Sequence, residues 1–294
     1  MLRIGLLVWT SRLMNRIIFV ADFFANEVGG GGELNNQELV DILRQRGTHV
    51  LEVKSSLLTP LFISECSKET KFVVANFVML SEKSKKVIQN DREYIIYEHD
   101  HKYIKTRNPA NYKNFVAPVE HIINFDFYKN AKAILCQSQF HADIVESNLK
   151  LNNIVSLGGN LWSEDSLETM LSMSNVVKKP TCAIMSSTNW HKNTSDAIKL
   201  CEAKQWETDI IPPCNYIEFL LRLGESEKFV FLPKTPETLS RIAVEARMMG
   251  LTVITNNLVG ATGEEWFSLK GADLIEVIKN KRTEIPDIVT ESLK

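Results

Sequence analysis

Glu237 and Glu245 stand eight positions apart in the stretch KTPETLSRIAVEARMMG, which runs from Lys234 to Gly250. Pro236 breaks the chain ahead of them, and Thr238 can cap a helix that starts at Leu239. From there Leu239, Ile242, Ala243, Ala246 and Met249 recur at helical spacing and form one apolar face. Eight residues of helix turn through about 800°. Glu245 therefore falls on the flank of the buried face, while Glu237 stays in the loop. Both carboxylates can address one ligand. Carboxylates accept hydrogen bonds from hydroxyls, and the free N–H groups of a helix start hold a phosphate between them. A molecule with hydroxyls at both ends and a diphosphate in the middle is a nucleotide sugar. The plainer reading makes the two glutamates solvating charges on a helix flank.

Three further stretches carry residue types suited to the same ligand. In GGGGELNNQ (29–37) four glycines run into a helix, so the backbone of Gly31 and Gly32 can approach a phosphate or a sugar closely. In SSTNWHKN (186–193) Lys192 is a point charge at a strand-to-helix turn, with Ser187 as a polar neighbour. In EHDH (98–101) His99 and His101 alternate with carboxylates, which is half of a metal site. His121, His141 and His191 stand apart in the sequence, so no metal is expected, and a polar cleft lining with an imidazole is the better reading. KYIKTRNPANYKNF (102–115) is basic and aromatic. Lys102, Lys105 and Arg107 either grip an acceptor or form a solvated face.

Apolar runs of strand length position these stations. IIFVA (17–21), THVLEV (48–53), KFVVANF (71–77), EYIIYE (93–98), AKAILCQS (131–138) and NNIVSLG (152–158) alternate with helix-length amphipathic segments. The runs are continuous, not alternating, as in parallel strands covered on both faces. A second series follows the breaker VVKKP: TCAIMSS (181–187), TDII (208–211), KFVFL (228–232), LTVIT (251–255) and ADLIEV (272–277). The pattern predicts an α/β chain of two Rossmann-like doubly wound domains, 1–170 and 171–294, joined near residues 163–180 and facing across a cleft. The run at Ile4–Trp9 is too short for a secretory leader, and the fold is expected to begin at Met14, with residues 1–13 an extension or an extra edge element.

The chain has 294 residues, 44% of them hydrophobic and 24% charged, enough for two sizeable cores. A net charge of −2 provides no field for nucleic acid or anionic membrane. Five scattered cysteines without a CxxC pair read as reduced thiols in a cytoplasmic setting. No apolar run reaches the roughly 20 residues that a membrane-spanning helix needs.

PETLSRIAVEARMMG, with TVITN behind it, resembles the E-x7-E element of retaining glycosyltransferases of the GT-B fold, especially the family 4 group. GGGGELNNQELVDILRQRGTHV is similar to that family's glycine-rich loop, helix and second strand, and AKAILCQSQFHADI to a later strand, serine and helix. NIVSLGGNLWS stands where the family usually reads PNGVD. The resemblance spans the chain from Met14. It implies an N-terminal acceptor-side domain and a C-terminal donor domain. It further implies that Glu237 meets the sugar hydroxyls and Glu245 the ribose, while Lys192 and the Thr238–Leu239 backbone hold the diphosphate, and that His99 or His101 lies near the transferred sugar. The family's arginine before the lysine is absent, PNG has become Gly-Gly-Asn, and Thr238 replaces a glycine.

The resulting expectation is a metal-independent hexosyltransferase that uses a nucleotide-diphosphate sugar, a UDP-sugar foremost, and no cofactor. The acceptor would be a carbohydrate, a lipid-linked molecule with peripheral membrane contact, or a small molecule, and not nucleic acid. A nucleotide-sugar epimerase of the same fold and a non-catalytic carbohydrate-binding or assembly protein are the alternatives. A nicotinamide oxidoreductase is disfavoured because no GxGxxG closely follows a strand.

Overall fold

A computed structural model describes residues 16–294. The expectation for residues 1–13 lies outside the described residues. The first half holds strands β1 (Arg16–Ala21), β2 (His49–Lys54), β3 (Lys71–Val74), β4 (Tyr94–Glu98), β5 (Ile134–Cys136) and β6 (Ile154–Ser156). They form one parallel sheet in the order β2-β1-β3-β4-β5-β6. Helices α1 (Gly31–Gln45), α2 (Pro60–Glu65), α3 (Glu82–Asp91), α4 (Phe125–Lys129) and α5 (Gln139–Leu149) cover it. The continuous apolar runs have a direct cause, because alternate residues of each strand enter separate cores. Ile18, Val20, Phe72 and Ile96 join one, and Ile17, Phe19, Val73 and Ile95 the other.

After α6 (Glu164–Ser174) comes a second parallel sheet of β7 (Lys179–Met185), β8 (Thr208–Ile211), β9 (Ser226–Phe231) and β10 (Thr252–Thr255), in the order β10-β9-β7-β8. Its helices are α7 (Thr194–Ala203), α8 (Tyr216–Gly224) and α9 (Arg241–Met248). In both sheets the first strand lies between the second and the third. The switch points are therefore β1/β3 and β7/β9, and ligands bind beyond the carboxyl ends of strands at such points. The glycine-rich loop leaves β1, and the Lys192 loop leaves β7.

ADLIEV is not a strand. It lies inside α10 (Gly271–Ser292), whose apolar residues keep a helical period too long for a strand. Leu274, Ile275 and Ile278 pack in the second half, whereas Ile285, Val289 and Leu293 pack under the first sheet. The other crossing falls between Leu161, in a first-half core, and Trp162, in a second-half core. Residue 170 is thus inside α6, which packs in the second half through Leu167, Met170 and Met173. Pro286 has no N–H for the Arg282 carbonyl, and Arg46 Nη2 donates to that oxygen instead, at 3.3 Å. Arg282 also ties the two crossings together. Its Nη1 donates to the Trp162 carbonyl at 2.5 Å and to Glu38 on α1.

Candidate functional site

The carboxyl ends of both sheets border a cleft of about 450 Å³ between the halves. Lys192 and Glu237 meet in it because one loop follows β7 and the other follows its neighbour β9. The Lys192 ammonium lies 2.8 and 2.9 Å from the two carboxylate oxygens of Glu237. Glu237 is fixed by its backbone, which donates to the Leu258 carbonyl at 2.7 Å and accepts from Gly260 N–H at 3.0 Å.

The helix beyond Glu237 starts later than its sequence suggests. Thr238 does not cap it. Its hydroxyl donates instead to Gln137 Oε1 at 2.8 Å, and its carbonyl accepts from Ser138 Oγ at 2.5 Å, so Thr238 joins the two halves. Leu239 turns into the core and leaves only its backbone near the cleft. Ser240 precedes α9 with a φ of 74°, in the left-handed region that a non-glycine residue rarely enters, and its buried hydroxyl has no partner among the described residues. The N–H groups of residues 239–242 likewise find no acceptor there.

Glu245 is one turn into α9 and almost fully buried. Its Oε1 accepts from Trp162 Nε1 and from the Tyr216 hydroxyl, each at 2.8 Å. Tyr216, Cys214, Phe219 and Met185 extend the cleft as a largely apolar slot beside it. Opposite them, Gly31 and Gly32 open α1 with no side chain at its N-cap, and a Cβ at Gly31 would come within 3.0 Å of Arg241 Cδ. A larger residue there would push the Arg241 side chain by a few tenths of an ångström. Arg241, which the sequence reading did not single out, lines the same wall.

His99 is held by both ring nitrogens. Gln137 donates to Nδ1, and Nε2 donates to Asn36 Oδ1 at 2.5 Å. Burial, reinforced by the Lys102 ammonium, pushes its pKa down to about 3, so the ring is neutral. A relay of bonds runs from Thr238 through Gln137 and His99 to Asn36. His99 therefore shapes the wall, and neither ring nitrogen is free to move a proton.

A second chamber of about 450 Å³ adjoins the first across His99, Lys192, Glu237 and Thr238. His101 and Arg107 border it. His101 Nδ1 pairs with the Tyr103 hydroxyl at 2.9 Å, its buried Nε2 has no partner among the described residues, and burial lowers its pKa to about 4. Arg107 forks onto Asp100, with Nε at 3.0 Å and Nη2 at 2.5 Å. Burial alone would raise the Asp100 pKa, but Lys102 and Arg107 outweigh it and hold this carboxylate well below its usual range.

Three expected contacts lie elsewhere. Lys102 is a correction: its buried ammonium bonds Glu98 and, at 3.0 Å, Asp100, and borders neither chamber. Burial works against its charge, yet the carboxylates of Asp100 and Glu98 keep its pKa up. Ser187 is turned aside, its hydroxyl accepting from Asn189 N–H at 3.1 Å, and it lines neither chamber. Lys105 is exposed and borders neither. Among the described residues no group of three His, Cys, Asp or Glu side chains could hold a metal, and no helix is long and apolar enough to cross a membrane.

No protein-family model and no curated protein matches the sequence. Solved structures do match. An α,α-trehalose-phosphate synthase (UDP-forming) from Burkholderia vietnamiensis aligns at a TM-score of 0.59 and 8% identity, covering 96% of this chain and 94% of that one. Anabaena HepE in complex with UDP-glucose aligns at 0.51 and 14% identity, over 95% and 91%. An α-glucosyltransferase in complex with UDP and a 13-mer DNA aligns at 0.49 and 13%, over 96% of each chain. The chain has the GT-B fold, two parallel-sheet α/β domains facing across a cleft.

Proposed function

We propose that this chain transfers a sugar from a nucleoside-diphosphate donor to a hydroxyl acceptor with retention at the anomeric carbon. One observation carries the reading. A single cleft brings together the Lys192–Glu237 pair, the unpaired N–H groups that open α9, and the buried carboxylate of Glu245. The GT-B fold and the UDP and UDP-glucose found with Anabaena HepE agree with it.

The base enters the slot by Tyr216 and Phe219. The ribose hydroxyls reach Glu245, whose Oε1 is oriented by Trp162 and Tyr216. The diphosphate lies between the starts of α1 and α9, where two positive helix ends converge. Glu237 meets the sugar beside the wall shared with the second chamber, and the acceptor occupies that chamber beside Arg107 and His101. As the anomeric carbon leaves the phosphate oxygen, the acceptor oxygen bonds to it and the acceptor proton passes to the departing phosphate. His99 does not compete for that proton, since both of its ring nitrogens are engaged. The protein's contribution is positioning and electrostatic stabilisation of the separating charges. No divalent ion is assigned a role.

Purified protein incubated with a panel of nucleotide sugars and acceptors tests this reading, with carbohydrates, polyols, lipid-linked sugars and DNA as separate acceptor arms. Acceptor-dependent release of nucleoside diphosphate, with an axial product from an axial donor, is expected, and it survives chelator. Conversion of one nucleotide sugar into another without acceptor would favour the epimerase and overturn the transfer. Stabilisation by sugars alone would favour a binding protein.

A further inference from the structure

We infer that Arg241, in the first turn of α9, is the second cation of the diphosphate site. This deepens the sugar-transfer reading and rests on it. Lys192 is the cation that the β7 loop brings to the cleft lining. Lys192 brings a single positive charge, so a diphosphate with two or more negative charges needs another partner. Of the residues that line the cleft, Arg241 is the other permanently charged cation.

Its surroundings suit that role. The Arg241 guanidinium lies 4.2 Å from the centre of the Trp162 ring, and Nη1 donates to the Leu161 carbonyl at 2.5 Å. The cation–π contact and that bond hold the guanidinium in place, while Nε stays 3.7 Å from Glu245. Arg241 also interacts with Tyr216, and both line the cleft. With its side chain only 10% exposed, the charge is poorly screened by water, which strengthens a bond to phosphate. Two buried polar side chains of the same cleft point independently to a missing ligand. Ser240 Oγ has no partner among the described residues, and neither has Asn160 Oδ1, although the two residues are 7% and 1% exposed. The serine hydroxyl can donate to a phosphate oxygen and the asparagine oxygen can accept from a sugar or ribose hydroxyl. The left-handed turn at Ser240 presents its hydroxyl there together with the free N–H groups of α9.

Calorimetric titration of the full chain with UDP and with uridine separates this role from a purely structural one. Arg241→Gln should weaken UDP by about 10- to 100-fold and leave uridine unchanged, because the lost bonds go to phosphate. Arg241→Lys should recover part of the loss, since it keeps the charge but not the fork, and it serves as the test variant if the glutamine protein does not fold. Equal weakening of UDP and uridine in either variant would show that Arg241 only supports Trp162 and Glu245, and would overturn the inference. A wild-type chain that binds uridine and UDP equally would overturn it too. Failure of the wild type to bind any nucleoside diphosphate would instead remove the sugar-transfer reading, and the inference with it.

Discussion

Lys192 and Glu237, on the loops after β7 and β9, neutralise each other at 2.8 and 2.9 Å in the cleft. Under the proposed sugar transfer a donor would separate them, the lysine turning to phosphate and the glutamate to sugar. Diphosphate binding and sugar recognition are thereby coupled.

That coupling distinguishes the two residues. Lys192→Ala should weaken both UDP and the donor by about 1.5–3 kcal/mol, the range of a charged hydrogen bond. Glu237→Ala should lower kcat on the order of 100-fold, yet bind UDP at least as tightly as wild type because its lysine is released. Weaker UDP binding in Glu237→Ala would contradict the coupling. Titration and steady-state rates on the two proteins decide it.

Glu245 needs a gentler substitution than its cleft position suggests. Removing its side chain leaves the buried Trp162 N–H and Tyr216 hydroxyl without an acceptor, so Glu245→Ala should cost about 2 kcal/mol of stability or more. Glu245→Gln keeps an oxygen for both donors. It should raise the donor KM with little change in kcat, because a ribose contact is similar in ground and transition states. A large fall in kcat with unchanged KM would place this residue at the reacting carbon instead.

The buried histidines give the fold a pH dependence. His101 has a folded-state pKa of about 4 against an ordinary value near 6.5, so its protonation favours the unfolded chain. Its contribution is intact above pH 6.5 and is lost as the pH falls towards 4, at up to about 1.4 kcal/mol per pH unit. The fall in Tm between pH 7 and pH 5 should be shallower in His101→Asn than in wild type. Identical slopes would show that the His101 pKa is not lowered by folding.

Gly260 supports the Glu237 loop. A Cβ at this position would lie 2.5 Å from the Thr238 carbonyl oxygen and 2.5 Å from Ser138 Oγ. Gly260→Ala should therefore displace the loop and break the Ser138–Thr238 bond, reducing turnover by about 10-fold or more for a shift of a few tenths of an ångström to 1 Å. Circular dichroism should remain that of the wild type. Full activity would mean the loop adjusts without moving Glu237.

The strands were readable from the sequence because both sheet faces are buried, which makes each strand an uninterrupted apolar run. ADLIEV was misread for the same reason, since six apolar-rich residues fit a strand or a turn and a half of helix, and only the later Ile285 and Val289 reveal the longer period. The meeting of Lys192 with Glu237 was not written in either loop; it follows from the order of β7 and β9. Lys102 looked like a surface cation because the neighbours that bury it, including Phe77 and Tyr128, are distant in sequence. Arg241, a lone arginine beside an apolar helical face, gives no signal in the sequence until Trp162 and Gly31 are placed against it. Thr238 has a capping side chain, but Gln137 competes for its hydroxyl from the other half.

The double passage of the chain between its halves, at Leu161–Trp162 and again along α10, bears on modularity. A single tether would let the halves twist and splay. Two adjoining tethers, joined where Arg282 meets the Trp162 carbonyl, favour swinging about one axis. They also prevent clean dissection. A fragment of residues 171–294 would carry Ile285, Val289 and Leu293 as a greasy tail, and its complement would expose the core those residues cover. The halves should aggregate when produced alone and reassemble when co-expressed.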